Sequence, residues 1–199
     1  MIFKLSLLTS FLFLLAISPP ANSFRNRTSF ENPRGTGDPA VNVIILTDES
    51  IHRICSQTGY PPLCQQTLSE FEGKPLFPKP LGNITEMARK HAKSTTKKIY
   101  GLYDTIKDKK AALKTRYNRC LKKYEGAMTL INKAKKYLDR GDPRGVLLYA
   151  GQAANLVYEC DQDLHKRPKE PSNISKDNDK FRDIVSIIYV VCNMLSAGN

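Results

Sequence analysis

The sequence predicts an all-α protein: an up-down antiparallel four-helix bundle preceded by a short, disulfide-braced N-terminal helical hairpin. Three observations predict it. Four long stretches repeat apolar residues at steps of three and four, the period of a helix with one buried stripe. No stretch shows the period-two alternation of a half-buried strand between hairpin turns. Two cysteines, Cys55 and Cys64, flank a Gly59-Tyr60-Pro61-Pro62 break between two short amphipathic runs.

Residues 1–23 read as a secretory signal peptide. Lys4 precedes an apolar run, Pro19-Pro20 ends it, and Ala21 and Ser23 supply small residues before a cut at Ser23–Phe24. That run is too short to serve as a membrane anchor. Residues 24–45 follow as a flexible tail, polar and rich in proline and glycine up to residue 42. Three sequons, at Asn26, Asn83 and Asn173, fit an extracellular chain. Asn26 sits close to the cut, so Asn83 and Asn173 are the better glycan acceptors.

The hairpin and its Pro-rich connector occupy residues 46–82. Thr47 or Asp48 can cap a helix carrying Ile51, Ile54 and Cys55. After the break, a second helix can bury Leu63, Cys64, Leu68 and Phe71. The stretch KPLFPKPLG, residues 74–82, has three prolines and reads as a connector.

The bundle spans residues 83–199. Asn83 or Thr85 can cap its first helix, whose seam runs Ile84, Ala88, His91, Thr95, Ile99, Leu102 and Ile106. The second seam is Leu113, Tyr117, Cys120, Tyr124, Ala127, Ile131, Ala134 and Leu138. Gly141 then suits the residue just past a helix, Asp142 an N-cap and Pro143 the first turn of the next. The third seam is Val146, Ala150, Ala153, Val157, Cys160 and Leu164. Residues 165–180 are charged and read as a loop, before a last helix carrying Phe181, Ile184, Ile188, Val191 and Leu195.

In an oxidising compartment five cysteines imply two disulfides and one thiol. Cys120 lies 21 residues before Gly141 and Cys160 lies 19 after it. On antiparallel helices rising about 1.5 Å per residue, the two stand at nearly one height and can bridge. Cys55 and Cys64 then form a local bridge, and Cys192 is left as a buried free thiol. No metal site is expected, because no Cys-x-x-Cys occurs and His52 near Cys55 lacks completing ligands. No cofactor is expected either.

Reactive groups are hard to find. His52, His91 and His165 sit in no known catalytic signature, and nucleophile-elbow, P-loop, dinucleotide and zinc-protease motifs are absent. Asp161 and Asp163 near a helix end read as solvated charges. The residues therefore show no recognisable catalytic set, and no enzyme is expected. From Arg89 to Arg144 there are 18 Lys/Arg against 5 Asp/Glu, interleaved with tyrosines. Tyr117 and Tyr124 belong to a seam, so a nucleic-acid platform is not the expected partner. A solvated face is one reading, and steering towards an acidic surface is another.

The Cys55/Cys64 hairpin, "CLKKYEGAMTLINKA" headed by Cys120, the Gly-Asp turn, "YAGQAANLVYEC" and a fifth cysteine in a last apolar helix occur in this order. Over residues 46–197 the chain resembles the plant invertase/pectin methylesterase inhibitor family. The resemblance implies a four-helix bundle with a helical hairpin, and a secreted inhibitor that binds its target enzyme as a protein–protein complex. Among invertase inhibitors it implies a Pro-Lys-Phe segment after the turn between the second and third bundle helices. Here Asp142-Pro143-Arg144-Gly145 stands there, so the aromatic anchor is missing. Pectin methylesterase inhibitors resemble Gly-Asp-Tyr-Lys-Gly-Val at this turn, and "GDPRGV" keeps four of the six residues. The expected target is thus a cell-wall pectin methylesterase whose substrate cleft is occluded, with Asp142, Pro143 and Arg144 as the candidate contact turn. Inhibition of cell-wall or vacuolar invertase is the alternative. A secreted helical signalling ligand and a non-inhibitory family member are the others. The expected location is the apoplast, with the vacuole as a second possibility. Attraction to acidic pectin is expected, and neither nucleic acid nor a membrane anchor is.

Overall fold

A computed structural model of the chain describes residues 43–106, 111–167 and 170–197. The expected signal peptide, the tail through residue 42 and Asn26 lie outside them. The described residues form six helices: α1 (Asp48–Cys55), α2 (Pro61–Ser69), α3 (Lys79–Thr105), α4 (Ala111–Leu138), α5 (Pro143–Leu164) and α6 (Ile174–Ala197). α1 and α2 make the hairpin. α3 to α6 make the antiparallel bundle, in which α3 and α5 each pack on α4 and α6 and stand diagonal to one another.

Local chemistry sets the helix starts. At α1 the Thr47 hydroxyl accepts from the Ser50 N–H at 3.2 Å, and the Thr47 N–H donates to Ser50 Oγ at 2.8 Å. This reciprocal pair satisfies two donors that the first turn leaves without partners. Pro61 and Pro62 open α2, where a missing N–H costs nothing. The Asp142 carboxylate accepts from the Gly145 N–H at 3.0 Å at the start of α5. Gly141 just before it has φ +72°, the left-handed conformation that ends a helix without steric cost in glycine.

Two boundaries differ from the sequence expectation. α3 begins at Lys79, not near Asn83, so part of the Pro-rich connector is helical. Pro80 falls in the first turn, the Gly82 N–H already bonds Pro78 O at 2.9 Å, and Leu81 is fully buried. Thr85 turns its hydroxyl back to Leu81 O at 2.8 Å and does not cap. α6 begins at Ile174, inside the stretch read as a loop. Its seam continues upstream through Ile174 and Asn178, both without solvent exposure. A buried asparagine carries the helical period there, so an apolar count misses it.

The seams of α4 and α5 are buried at every expected position, from Leu113 to Leu138 and from Val146 to Leu164. α6 is buried over a wider arc, adding Val185, Ile187, Val190 and Cys192. The cause is the hairpin, which lies against α6. There the Gly59 N–H donates to Ser186 Oγ at 3.1 Å, and a side chain at 59 would meet Asp183 Oδ1 at 3.0 Å. Residues 43–45, expected as the end of the tail, are engaged as well. Ile45 pairs in an isolated antiparallel bridge with Pro75, and the Leu76 N–H donates to Ile44 O at 2.8 Å.

Candidate functional site

Cys55 and Cys64 are joined, with Cα atoms 5.3 Å apart, as are Cys120 and Cys160, at 4.7 Å. The first bond ties α1 to α2, the second α4 to α5. Cys192 is unpaired and has no exposure. Burial, followed by the charge of Asp142, pushes its thiol up to about 12. At ordinary pH it is therefore a small apolar group, not a nucleophile.

Beside the Cys120–Cys160 bond lies a buried polar cluster. Tyr124 donates to Asn178 Oδ1 at 2.7 Å, and Asn178 Nδ2 donates to Asp161 Oδ1 at 3.0 Å. Ser175 also donates to that oxygen, at 2.7 Å. Burial raises the Tyr124 phenol well above its usual range, which keeps it a hydrogen-bond donor. Asp161 is only 6% exposed, so it is not the solvated charge that its place near a helix end suggested. Asp163 is the surface partner, held by Lys166 and Arg119. The cluster links α4, α5 and α6. Its burial and mutual satisfaction fit a structural role.

The histidines are dispersed. His91 Nε2 donates to Asp177 O at 2.8 Å, His165 Nδ1 to Asp161 O at 2.8 Å, and His52 is exposed. Among the described residues, no group of three or more His, Cys, Asp or Glu side chains could hold a metal ion. None of the helices searched is long and apolar enough to cross a membrane.

The turn at the end of the bundle has a defined shape. Pro143 is half-buried in the first turn of α5, and Arg144 is exposed. Gly145 faces inward, and a Cβ there would fall 2.1 Å from the Tyr137 ring. A larger residue at 145 would have to displace Tyr137, which packs on Tyr149 with ring centroids 5.2 Å apart. Asn83 and Asn173 are both exposed. Asn83 lies within α3, and Asn173, at φ +57°, precedes α6.

From Arg144 the outward side of α5 runs through Leu148, Gly151, Gln152, Asn155 and Tyr158. Leu148 is 55% exposed and Tyr158 is 50% exposed. No charged residue occurs between Arg144 and Glu159. A Cβ at Gly151 would meet nothing within 4 Å. This stripe has the make-up of an interface centre: tyrosine and apolar surface, uncharged amides and depleted charge. Beyond the candidate turn residues Pro143 and Arg144, the three-four period of α5 gives only its buried seam. The missed signal was the uncharged opposite face, which a soluble helix usually charges.

Comparison with known proteins fits this architecture. Residues 49–191 match the family described as plant invertase/pectin methylesterase inhibitor. A pectinesterase inhibitor of Actinidia deliciosa is 31% identical over 147 residues, covering 73% of this chain and 78% of that protein. Pectinesterase inhibitor 1 of Arabidopsis thaliana is 23% identical over 150 residues, covering 75% of this chain and 84% of the relative. The crystal structure of a pectin methylesterase inhibitor from Arabidopsis thaliana superposes with a TM-score of 0.58 at 22% identity, covering 75% of this chain and 98% of the other. A mutant form of an Arabidopsis inhibitor gives a TM-score of 0.62 at 21% identity, with 75% and 97% covered. The match spans four of the six helices fully and most of α1 and α6, so the chain belongs to the plant invertase/pectin methylesterase inhibitor family.

Proposed function

We infer that this chain is a secreted inhibitor of a pectin methylesterase, which it binds as a protein–protein complex that occludes the substrate cleft. The single observation that carries this is the uncharged outward stripe of α5, from Leu148 to Tyr158, in a chain with net charge +12. Binding faces are depleted in lysine and glutamate at their centre, and the outward stripe of α5 has that composition along most of the helix. Arg144, exposed beside the stripe, supplies a charged anchor at its end. Relatives named pectinesterase inhibitors support the choice of enzyme. Gly145 supports it too, because the Tyr137 contact leaves no room for the aromatic anchor of an invertase-type insertion.

In this role the signal peptide directs the chain to the apoplast, where the disulfides form and Asn83 and Asn173 can carry glycan. The chain acts by occupying the cleft and does no chemistry itself.

Side-by-side inhibition assays against a pectin methylesterase and an acid invertase, at pH near 5 and near 7, test this. Inhibition of the esterase alone is expected. No inhibition of either enzyme at micromolar protein sinks the proposal. Gly151→Gln maps the face: its Cβ enters open space, so the fold should hold, while inhibition should weaken by at least about tenfold. A variant as inhibitory as the parent removes α5 from the interface.

A further inference from the structure

Positive charge is unevenly placed around the bundle. α3 and α4 carry six and eight Lys/Arg against two and one Asp/Glu, whereas α5 carries one against three and α6 three against three. Where α3 and α4 meet their neighbours the cations are matched. Lys98 pairs with Asp177 of α6 at 2.7 Å, Arg119 with Asp163 of α5 at 3.1 Å, and Lys123 with Glu159 of α5.

The outward side of α3 is different. Lys90, Lys93, Lys97 and Tyr100 follow one another at steps of three, four and three, and all are exposed. One helical face therefore carries them in a line. None of these lysines forms an ion pair among the described residues. Glu86, at the near end, is engaged by Arg89 at 2.6 Å and feels Lys90 only at longer range. Lys122 of α4 extends the field. The Lys114 ammonium stands over the Tyr103 ring at 5.0 Å, and counting back along both helices at about 1.5 Å per residue puts Lys97 and Lys122 within about one turn in height. Tyr100 is 58% exposed and adds a ring face beside the charges.

We propose that this line on α3, with Lys122 beside it, is a binding site for a linear polycarboxylate, the de-esterified stretches of pectin. The choice of polyanion rests on the proposed target, because hydrolysis of a methyl ester leaves a carboxylate on the polysaccharide. A row of unpaired ammonium groups is complementary to such a chain, and an exposed tyrosine ring suits the apolar face of a sugar. α3 stands diagonal to α5, so the polysaccharide and the enzyme meet opposite sides of the bundle. The inhibitor can then be held where the esterase has already acted, while its α5 face engages enzyme.

The full mature chain is tested for retention on polygalacturonate, on highly methyl-esterified pectin, on dextran and on duplex DNA, at rising salt. The triple variant Lys90→Gln/Lys93→Gln/Lys97→Gln is tested in parallel, with its melting curve and its inhibition of the esterase. Retention on polygalacturonate should exceed that on the esterified polymer and fall with salt. The triple variant should lose about tenfold in affinity while melting and inhibiting like the parent. If the triple variant is misfolded, the single Lys93→Gln, with a smaller loss, decides the same question. Equal binding by the variants, equal binding to dextran, or tighter binding to DNA overturns the proposal. Loss of esterase inhibition along with polygalacturonate binding also overturns it, by assigning the line to the enzyme contact. Polygalacturonate binding with no inhibition by the parent would refute the proposed target and leave the α3 site standing.

Discussion

The α1–α2 hairpin and the α3–α6 bundle each hold one disulfide, yet the two bonds act on different scales. Cys120–Cys160 closes a separation of 40 residues between two long helices whose facing seams are buried throughout. Cys55–Cys64 closes 9 residues between helices of eight and nine residues. Helices that short do not persist alone in water. The hairpin therefore depends on its bond and on α6, whereas the bundle has a core of its own. Their carboxylates also respond differently to acid. In the bundle, hydrogen bonding to Lys166, followed by the charge of Arg119, outweighs burial and holds Asp163 low. At the hairpin contact, burial and then the charge of Asp179 raise Asp183, only partly offset by Arg182.

The largest expected effect is removal of the bundle bond. Cys120→Ala/Cys160→Ala should lower global stability by about 4 kcal/mol on the chain-entropy model, read as a lowered denaturant midpoint with a steeper slope, because the unlinked unfolded chain is more expanded. A loss below about 1 kcal/mol would mean that the unfolded chain holds the two helices together without the bond.

Cys55→Ala/Cys64→Ala should act locally. Amide exchange across residues 48–69 should quicken markedly, while the main unfolding transition moves by less than about 1 kcal/mol. If this variant destabilises the main transition as far as the bundle variant does, hairpin and bundle are one cooperative unit and the contrast fails.

The smallest effect is in pH. Asp183 has a raised folded-state pKa, so its ionised form opposes hairpin docking above that value. The penalty disappears as pH falls towards the ordinary carboxylate range. Protection of the hairpin should therefore rise on acidification from neutral, and Asp183→Asn should flatten the rise. Asp163 has the opposite sign: its stabilisation persists until pH falls through its lowered value. A hairpin that loosens first on mild acidification would contradict the assignment.

Much of the bundle was legible because its information is local. A helix with one neighbour-facing stripe writes that stripe at three-four spacing, and the seams of α4 and α5 could be read residue by residue. The Gly141–Asp142–Pro143 stop could be read for the same reason, since each residue type serves one backbone need. Cys120 and Cys160 stand at one height by their distances from that turn. The candidate binding faces were less legible. The basic stretch was visible as composition, but its division into matched and unmatched cations depends on where Asp163, Glu159 and Asp177 lie in space.

Sequence alone therefore settled the helical class, the number of long helices and the inward stripe of most of them, because backbone period and capping depend on near neighbours in the chain. Tertiary structure decided what the hairpin covers, why Asp161 and Asn178 are buried, and that α3 and α5 face apart. Those depend on contacts between residues tens of positions distant, where a polar side chain can be core if its partners arrive. The Ser186–Gly59 contact joins residues 127 positions apart, and no local period records a pairing of that length.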